Sequence, residues 1–108
     1  MTLPPSVLAI DQGTTSTRAL RMGPDGWLQP VLSLPHAQHY PAPGHVEHDA
    51  EELLSHVARC LEAGGALPTG LANQGESCLA WDGRDGRPLG RVIVWQDDRT
   101  APLTAAME

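Results

Sequence analysis

Short apolar runs separated by turn residues fill the first third of the chain. Val7 to Ile10 is apolar and ends at Asp11, and after Gln12-Gly13-Thr14-Thr15 a second run carries Arg18, Ala19, Leu20 and Met22. Runs of this length around a tight polar turn predict strand, turn, strand. Gly23-Pro24-Asp25-Gly26 is a second turn, because Pro presets one dihedral and Gly supplies a positive φ, and Trp27 to Leu34 then reads as a third strand. Pro35 to Gly44 holds three prolines and two histidines without an apolar period, so it is expected to be a surface loop.

The pattern then changes from strand to helix. Over Asp49 to Ala63, Leu53, Leu54, Val57, Ala58 and Leu61 recur at helical spacing and leave Glu51, Glu52, Ser55 and Glu62 facing out. Asp49 is placed to cap the first turn, with Glu52 reaching back as in a capping box, and Gly64-Gly65 supplies the stop. Pro68 to Ala72 is a short strand running into Asn73-Gln74-Gly75-Glu76. Cys78 to Trp81, a turn at Asp82-Gly83-Arg84-Asp85-Gly86 and a strand over Val92 to Trp95 follow, and the composition after Arg99 suits the start of another helix. These elements predict an α/β fold with a mixed sheet: a three-stranded meander, a helix packed on it and a strand beside the first, with a plain α+β sandwich as the alternative.

Composition narrows the partners. The 108 residues suffice for one small domain, and the 41% apolar content fits a soluble globular chain. All seven basic residues are scattered Arg and the net charge is −6, which argues against a nucleic-acid surface built on clustered cations. The start of the chain lacks the pattern of an export signal, no stretch reaches transmembrane length, and Cys60 and Cys78 are lone thiols without CxxC spacing. A cytoplasmic protein with reduced cysteines, no nucleic acid and no membrane is the expectation, and both thiols are read as buried and inert. The chain reaches Glu108 without a closing signal and reads as cut rather than finished.

Asp11-Gln12-Gly13-Thr14-Thr15-Ser16 carries the candidate chemistry. A carboxylate at a strand end can hold hydrated Mg²⁺, Gly13 lets backbone approach an anion, and the hydroxyls of Thr14, Thr15 and Ser16 are neutral donors beside the charged fork of Arg18. No GxxxxGK[ST] sequence occurs, so this is not a helix-forming P-loop. On spacing alone, an ordinary hairpin whose Gly and Thr serve only the turn remains open. Likewise Glu76 alone could be an exposed loop acid, and Trp95 after Val92-Ile93-Val94 alone reads as core.

Leu8-Ala9-Ile10-Asp11-Gln12-Gly13-Thr14-Thr15-Ser16-Thr17-Arg18 resembles the N-terminal signature of the FGGY carbohydrate kinases, glycerol kinases among them. Gly44-His45-Val46-Glu47-His48-Asp49 resembles the lead into their first helix, and Asn73-Gln74-Gly75-Glu76 and Ile93-Val94-Trp95-Gln96-Asp97-Asp98-Arg99-Thr100 resemble their substrate-side strands. The resemblance implies a ribonuclease H-like, actin-like ATPase fold, of which residues 1–108 are the first part of the N-terminal domain without the second lobe. It implies ATP and Mg²⁺, with Gly13, Thr14, Thr15, Ser16 and Arg18 at the nucleotide phosphates and Asp11 near the metal. Gly75, Glu76 and Trp95 fall at the site of a small-molecule sugar or polyol. The implied general base is an Asp in a downstream GDQQAA-like segment, so no catalytic base is expected in this segment, the 108 residues alone should be inactive, and the full-length protein is expected to be a homo-oligomer. Glycerol kinases of the family carry Arg where this chain has Gly75, and losing that forked donor points to a larger, four- or five-carbon substrate.

Two further readings compete. His36, His39, His45, His48 and His56 raise a metal site, with His45, Glu47 and His48 the densest group, yet the spacing matches no zinc signature. A noncatalytic binding or regulatory module that keeps the fold is the alternative to a kinase.

Overall fold

The computed structural model describes residues 6–108. Strands β1 (Val7–Gln12), β2 (Ser16–Met22) and β3 (Leu28–Pro35) form the expected meander. A short strand β4 (Glu47–His48) leads into helix α1 (Ala50–Gly64), and β5 (Thr69–Asn73) then returns to the sheet. The sheet order is β3-β2-β1-β5, with β5 parallel to β1 and the other pairs antiparallel. This is the mixed α/β sheet that the hydrophobic pattern predicts. Strand β6 (Val92–Ile93) pairs with β4, and α2 (Ala101–Met107) follows the last turn.

Alternation along β1 and β2 decides which residues meet the helix. Leu8, Ile10 and Ala19 are buried with Cys60 of α1, and Leu32, Leu34 and Leu67 pack around them. With a period of two, Asp11 and Arg18 fall on the opposite face, where they are register partners. The turn between β2 and β3 closes at Gly26, whose φ of 83° needs glycine.

Several expectations need correction. The inward face of α1 lies one residue earlier in each turn than the leucine pattern suggests: Cys60 is buried, Leu53 and Val57 are half-buried, and Leu54 and Leu61 are exposed. The leucines form a second apolar stripe that the sheet does not cover. Asp49 caps α1 by accepting from the N–H groups of Glu51 and Glu52, as expected. Glu52 does not close a capping box; its carboxylate turns inward and accepts from Ala37 N at 2.9 Å. Nor is the segment from Pro35 to Gly44 wholly at the surface, because His36 is buried against Thr17 and α1. Cys60 is buried as read, whereas Cys78 is exposed. Its backbone pairs with Ile93 through an isolated bridge. Cys78 to Trp81 is accordingly not a full strand but a loose hairpin, tied by bridges Cys78–Ile93 and Trp81–Pro88. No helix among the described residues is long and apolar enough to cross a membrane.

Candidate functional site

Parallel pairing of β1 with β5 ends at Gln12 opposite Asn73. The chain therefore leaves both strands side by side, as Gly13-Thr14 from one and Gln74-Gly75-Glu76 from the other. Carboxyl ends of adjacent parallel strands are a common place for a ligand in α/β sheets. Here they border a cleft of about 470 Å³ lined by Asp11, Gln12, Gly13, Thr14, Asn73, Gln74, Gly75, Glu76 and Trp95.

Six of the residues singled out from sequence line this cleft: Asp11, Gly13, Thr14, Gly75, Glu76 and Trp95. Arg18 stands behind Asp11 on the open sheet face and donates to its Oδ2 at 3.1 Å. Thr15 and Ser16 complete the hairpin at its rim, Thr15 exposed and Ser16 half-buried. Ser16 O accepts from Gly13 N at 2.9 Å, and a Cβ at Gly13 would stand 3.2 Å from that same oxygen, so the turn is closed tightly around a residue without a side chain.

Trp95 is not a core residue. It is 49% exposed, and its indole Nε1–H donates to Thr14 Oγ1 at 2.8 Å across a sequence separation of 81 residues. Because that hydroxyl oxygen accepts from the indole, its own proton remains available to a ligand in the cleft. Glu76 is exposed and takes a φ of 65°, a left-handed conformation that disfavours a side-chain-bearing residue by roughly 1–2 kcal/mol. The tight exit from β5 sets this conformation and presents the carboxylate beside Gly75.

Sequence reasoning gave no role to the polar residues beneath the cleft. Trp95 N–H donates to Ser77 Oγ at 3.0 Å and Ser77 Oγ–H to Gln74 Oε1 at 2.9 Å. The amide Nε2 of Gln74 lies 3.4 Å from His48 Nδ1, and His48 Nε2 lies 2.9 Å from Gln38 Oε1. Gln38 Nε2 then donates to Thr14 O at 3.0 Å. These directions agree only if His48 is neutral with its proton on Nε2, and burial does push its pKa below the ordinary 6.5. Gln12 Nε2 and Gln74 Nε2 donate to Gly13 O at 2.9 and 3.5 Å, so side-chain amides hold the hairpin carbonyls from below. Gln12, His48 and Gln74 fall within the quoted motifs, whereas Gln38 and Ser77 lie outside them and carry no signal in the sequence.

A second cluster fixes the turn after β6 that carries Trp95. Arg99 donates to Asp97 and, at 2.8 Å, to Glu47 Oε2, while Asp97 Oδ2 accepts from Val46 N at 2.7 Å. Hydrogen bonding to the Arg99 guanidinium holds the Asp97 carboxyl well below the usual carboxylate range. At Gly44, with φ 79°, a side chain would collide with the Asp98 carboxylate.

The chain can be set beside known proteins on this basis. Glycerol kinase from Dechloromonas aromatica (strain RCB) is 48% identical over 90% of this chain, and that from Methylobacterium radiotolerans is 45% identical over 90%. The chain spans only 21% of the length of each of these two relatives. The crystal structure of Plasmodium falciparum glycerol kinase with ADP superimposes with a TM-score of 0.81 at 30% identity, covering 95% of this chain and 22% of that one. A ligand-bound xylulose kinase from Lactobacillus acidophilus gives 0.80 at 18% identity, covering 94% of this chain and 22% of its own, a likeness of fold alone. The profile of the FGGY family of carbohydrate kinases, N-terminal domain, matches residues 6–108, and the chain belongs to that family.

Proposed function

We propose that the full-length protein transfers the γ-phosphoryl group of ATP to a hydroxyl of a polyol or sugar, and that this chain supplies the phosphate hairpin and one wall of the substrate pocket. The observation that supports this reading is the bond between Trp95 and Thr14, which joins the β1–β2 hairpin and the turn after β6 at one cleft. Thr14, Thr15 and Ser16 are assigned to the phosphates as neutral donors, with Gly13 permitting close backbone approach and Arg18 adding charge. Asp11, with one oxygen on Arg18 and its place beside Gly13, fits the hard oxygen donor that Mg²⁺ takes, and is assigned to hold it. When bound, Mg²⁺ supplies charge neutralisation between phosphate oxygens. Glu76 accepts hydrogen bonds from substrate hydroxyls, and the face of Trp95 covers the C–H edge.

In the transfer, the acceptor oxygen forms a bond to the γ-phosphorus as the bond to the bridging oxygen of ADP breaks. The hydroxyl proton passes to a base, for which we look outside these 108 residues. At Gly75 a Cβ would meet nothing within 4 Å, so room stands open where glycerol kinases place Arg. This supports a substrate longer than glycerol.

ADP release by the full-length protein with ATP and Mg²⁺, across glycerol, erythritol, pentitols and ketopentoses, tests both parts. Turnover on a four- or five-carbon compound is expected. A wide preference for glycerol would sink the size argument and leave the kinase, whereas silence across the panel would sink the kinase.

A further inference from the structure

Beneath the hairpin, on the α1 side of the sheet, three side chains with metal-binding atoms converge. Glu52 and His56 lie four residues apart on α1 and so share a face, and His36 meets them from the end of β3. His36 Nδ1 is 3.1 Å from His56 Nδ1 and 3.9 Å from Glu52 Oε1, and one ligand atom from each residue lies within 4.8 Å of the others. The group differs from the densest histidine group in the sequence, since His48 belongs to the network under Thr14.

We infer that His36, Glu52 and His56 bind a late first-row divalent cation, with Zn²⁺ the best fit, and that water completes the coordination. Two imidazoles and one carboxylate are a zinc donor set, and tetrahedral Zn–N bonds of about 2.0–2.1 Å place two nitrogens about 3.3 Å apart. The observed nitrogens need to separate by only a few tenths of an ångström. The surroundings suit a ligand as well. Thr17 Oγ1, buried and 3.0 Å from His36 Nε2, can accept that ring proton and leave Nδ1 unprotonated toward the cation. Gln12 Nε2, 3.5 Å from the same nitrogen, is already engaged with Gly13 O. Burial, His56 and His48 lower the His36 pKa against the opposite effect of Glu52, which favours the neutral ring that a metal needs.

The consequence is mechanical. His36 N donates to Thr15 O at 2.9 Å, so a cation here ties α1 to the back of the phosphate hairpin. None of the three ligands lines the cleft.

The test uses the full-length protein without an affinity tag, titrated calorimetrically with Zn²⁺ in excess Mg²⁺ and separately with Co²⁺ as a visible-absorption probe. One equivalent should bind, Co²⁺ should give a four-coordinate spectrum, and Zn²⁺ should raise the thermal midpoint. His56→Gln, at a half-buried position, and Glu52→Gln should each weaken binding by at least about tenfold. His56→Gln should also abolish the thermal shift while keeping the native circular dichroism. Failure to bind Zn²⁺, or binding that neither substitution changes, overturns the site; the second result places the metal elsewhere, on Cys78 or in the cleft. None of these readouts depends on kinase activity.

Discussion

A missing side chain at residue 75 has a direct consequence for the pocket. Gly75 has no positive φ and open space at its Cβ direction, so the Cβ of Gly75→Arg enters without a clash and the fork extends from there. A charged donor to a substrate hydroxyl contributes roughly 1.5–3 kcal/mol. The substitution should therefore lower the KM for glycerol by about tenfold or more, and raise it for a five-carbon substrate by filling the volume. Steady-state kinetics on both substrates check this; parallel changes in the same direction would show that Gly75 does not set substrate length. Beside it, Glu76 lines the cleft in a left-handed conformation that few side-chain-bearing residues adopt.

Among the elements, α1 is positioned by its end as much as by its apolar stripe. A Cβ at Gly64 would run into the Leu8 side chain, which is 1% exposed and has nowhere to move. Gly64→Ala gains up to about 1 kcal/mol of helix propensity but incurs about 1–3 kcal/mol of overpacking. A net loss near 1 kcal/mol is expected, read as a lower denaturation midpoint with α1 helicity retained. The hydrogen-bonded path from Trp95 to Thr14 gives a second element-scale prediction. His48 has its pKa lowered chiefly by burial and secondarily by His39, with Glu52 acting in the opposite sense. As pH falls below the ordinary 6.5, the unfolded chain takes up the proton first, so stability is complete above about 6.5 and declines toward the lower folded pKa. Protonation also puts a donor opposite the Gln74 amide and breaks the path. Denaturation midpoints at pH 7.5 and 5.5 should fall more in the native protein than in His48→Gln; equal slopes would place the pH sensitivity elsewhere.

Across the whole molecule, the described residues are extended rather than compact. The radius of gyration is 17.1 Å, against about 13 Å for a compact domain of this length. Leu54, Leu71, Trp81 and Leu89 are each more than half exposed. Apolar burial is thus modest. Transfer needs a base and a closed cleft that aligns ATP with the acceptor, and the chain spans about a fifth of its relatives. The 108 residues expressed alone are expected to show no substrate-dependent ADP release where the full-length protein does. Turnover by the short chain would mean that a base lies within it.

What the sequence by itself determined is local. The first three strands, the Gly/Pro turn at Gly26, the Asp49 cap and the contiguous hairpin from Asp11 to Arg18 depend on neighbours within a few residues and formed close to where the pattern put them, whereas the strand expected over Val92 to Trp95 stops at Ile93. The apolar alternation also sent Asp11 and Arg18 to one face. Only the tertiary structure decided the relations between distant segments. Trp95 follows three apolar residues and reads as core until β5 and β6 bring it to Thr14. Glu52 reads as a capping acid until Ala37 N offers a donor that the helix end does not. The helix carries two apolar stripes, and local periodicity cannot choose between them; the sheet chose the one holding Cys60 and thereby brought His56 against His36. Burial and hydrogen-bond pairing are properties of which segments meet, and separations of 15 to 81 residues leave no periodic trace in the chain.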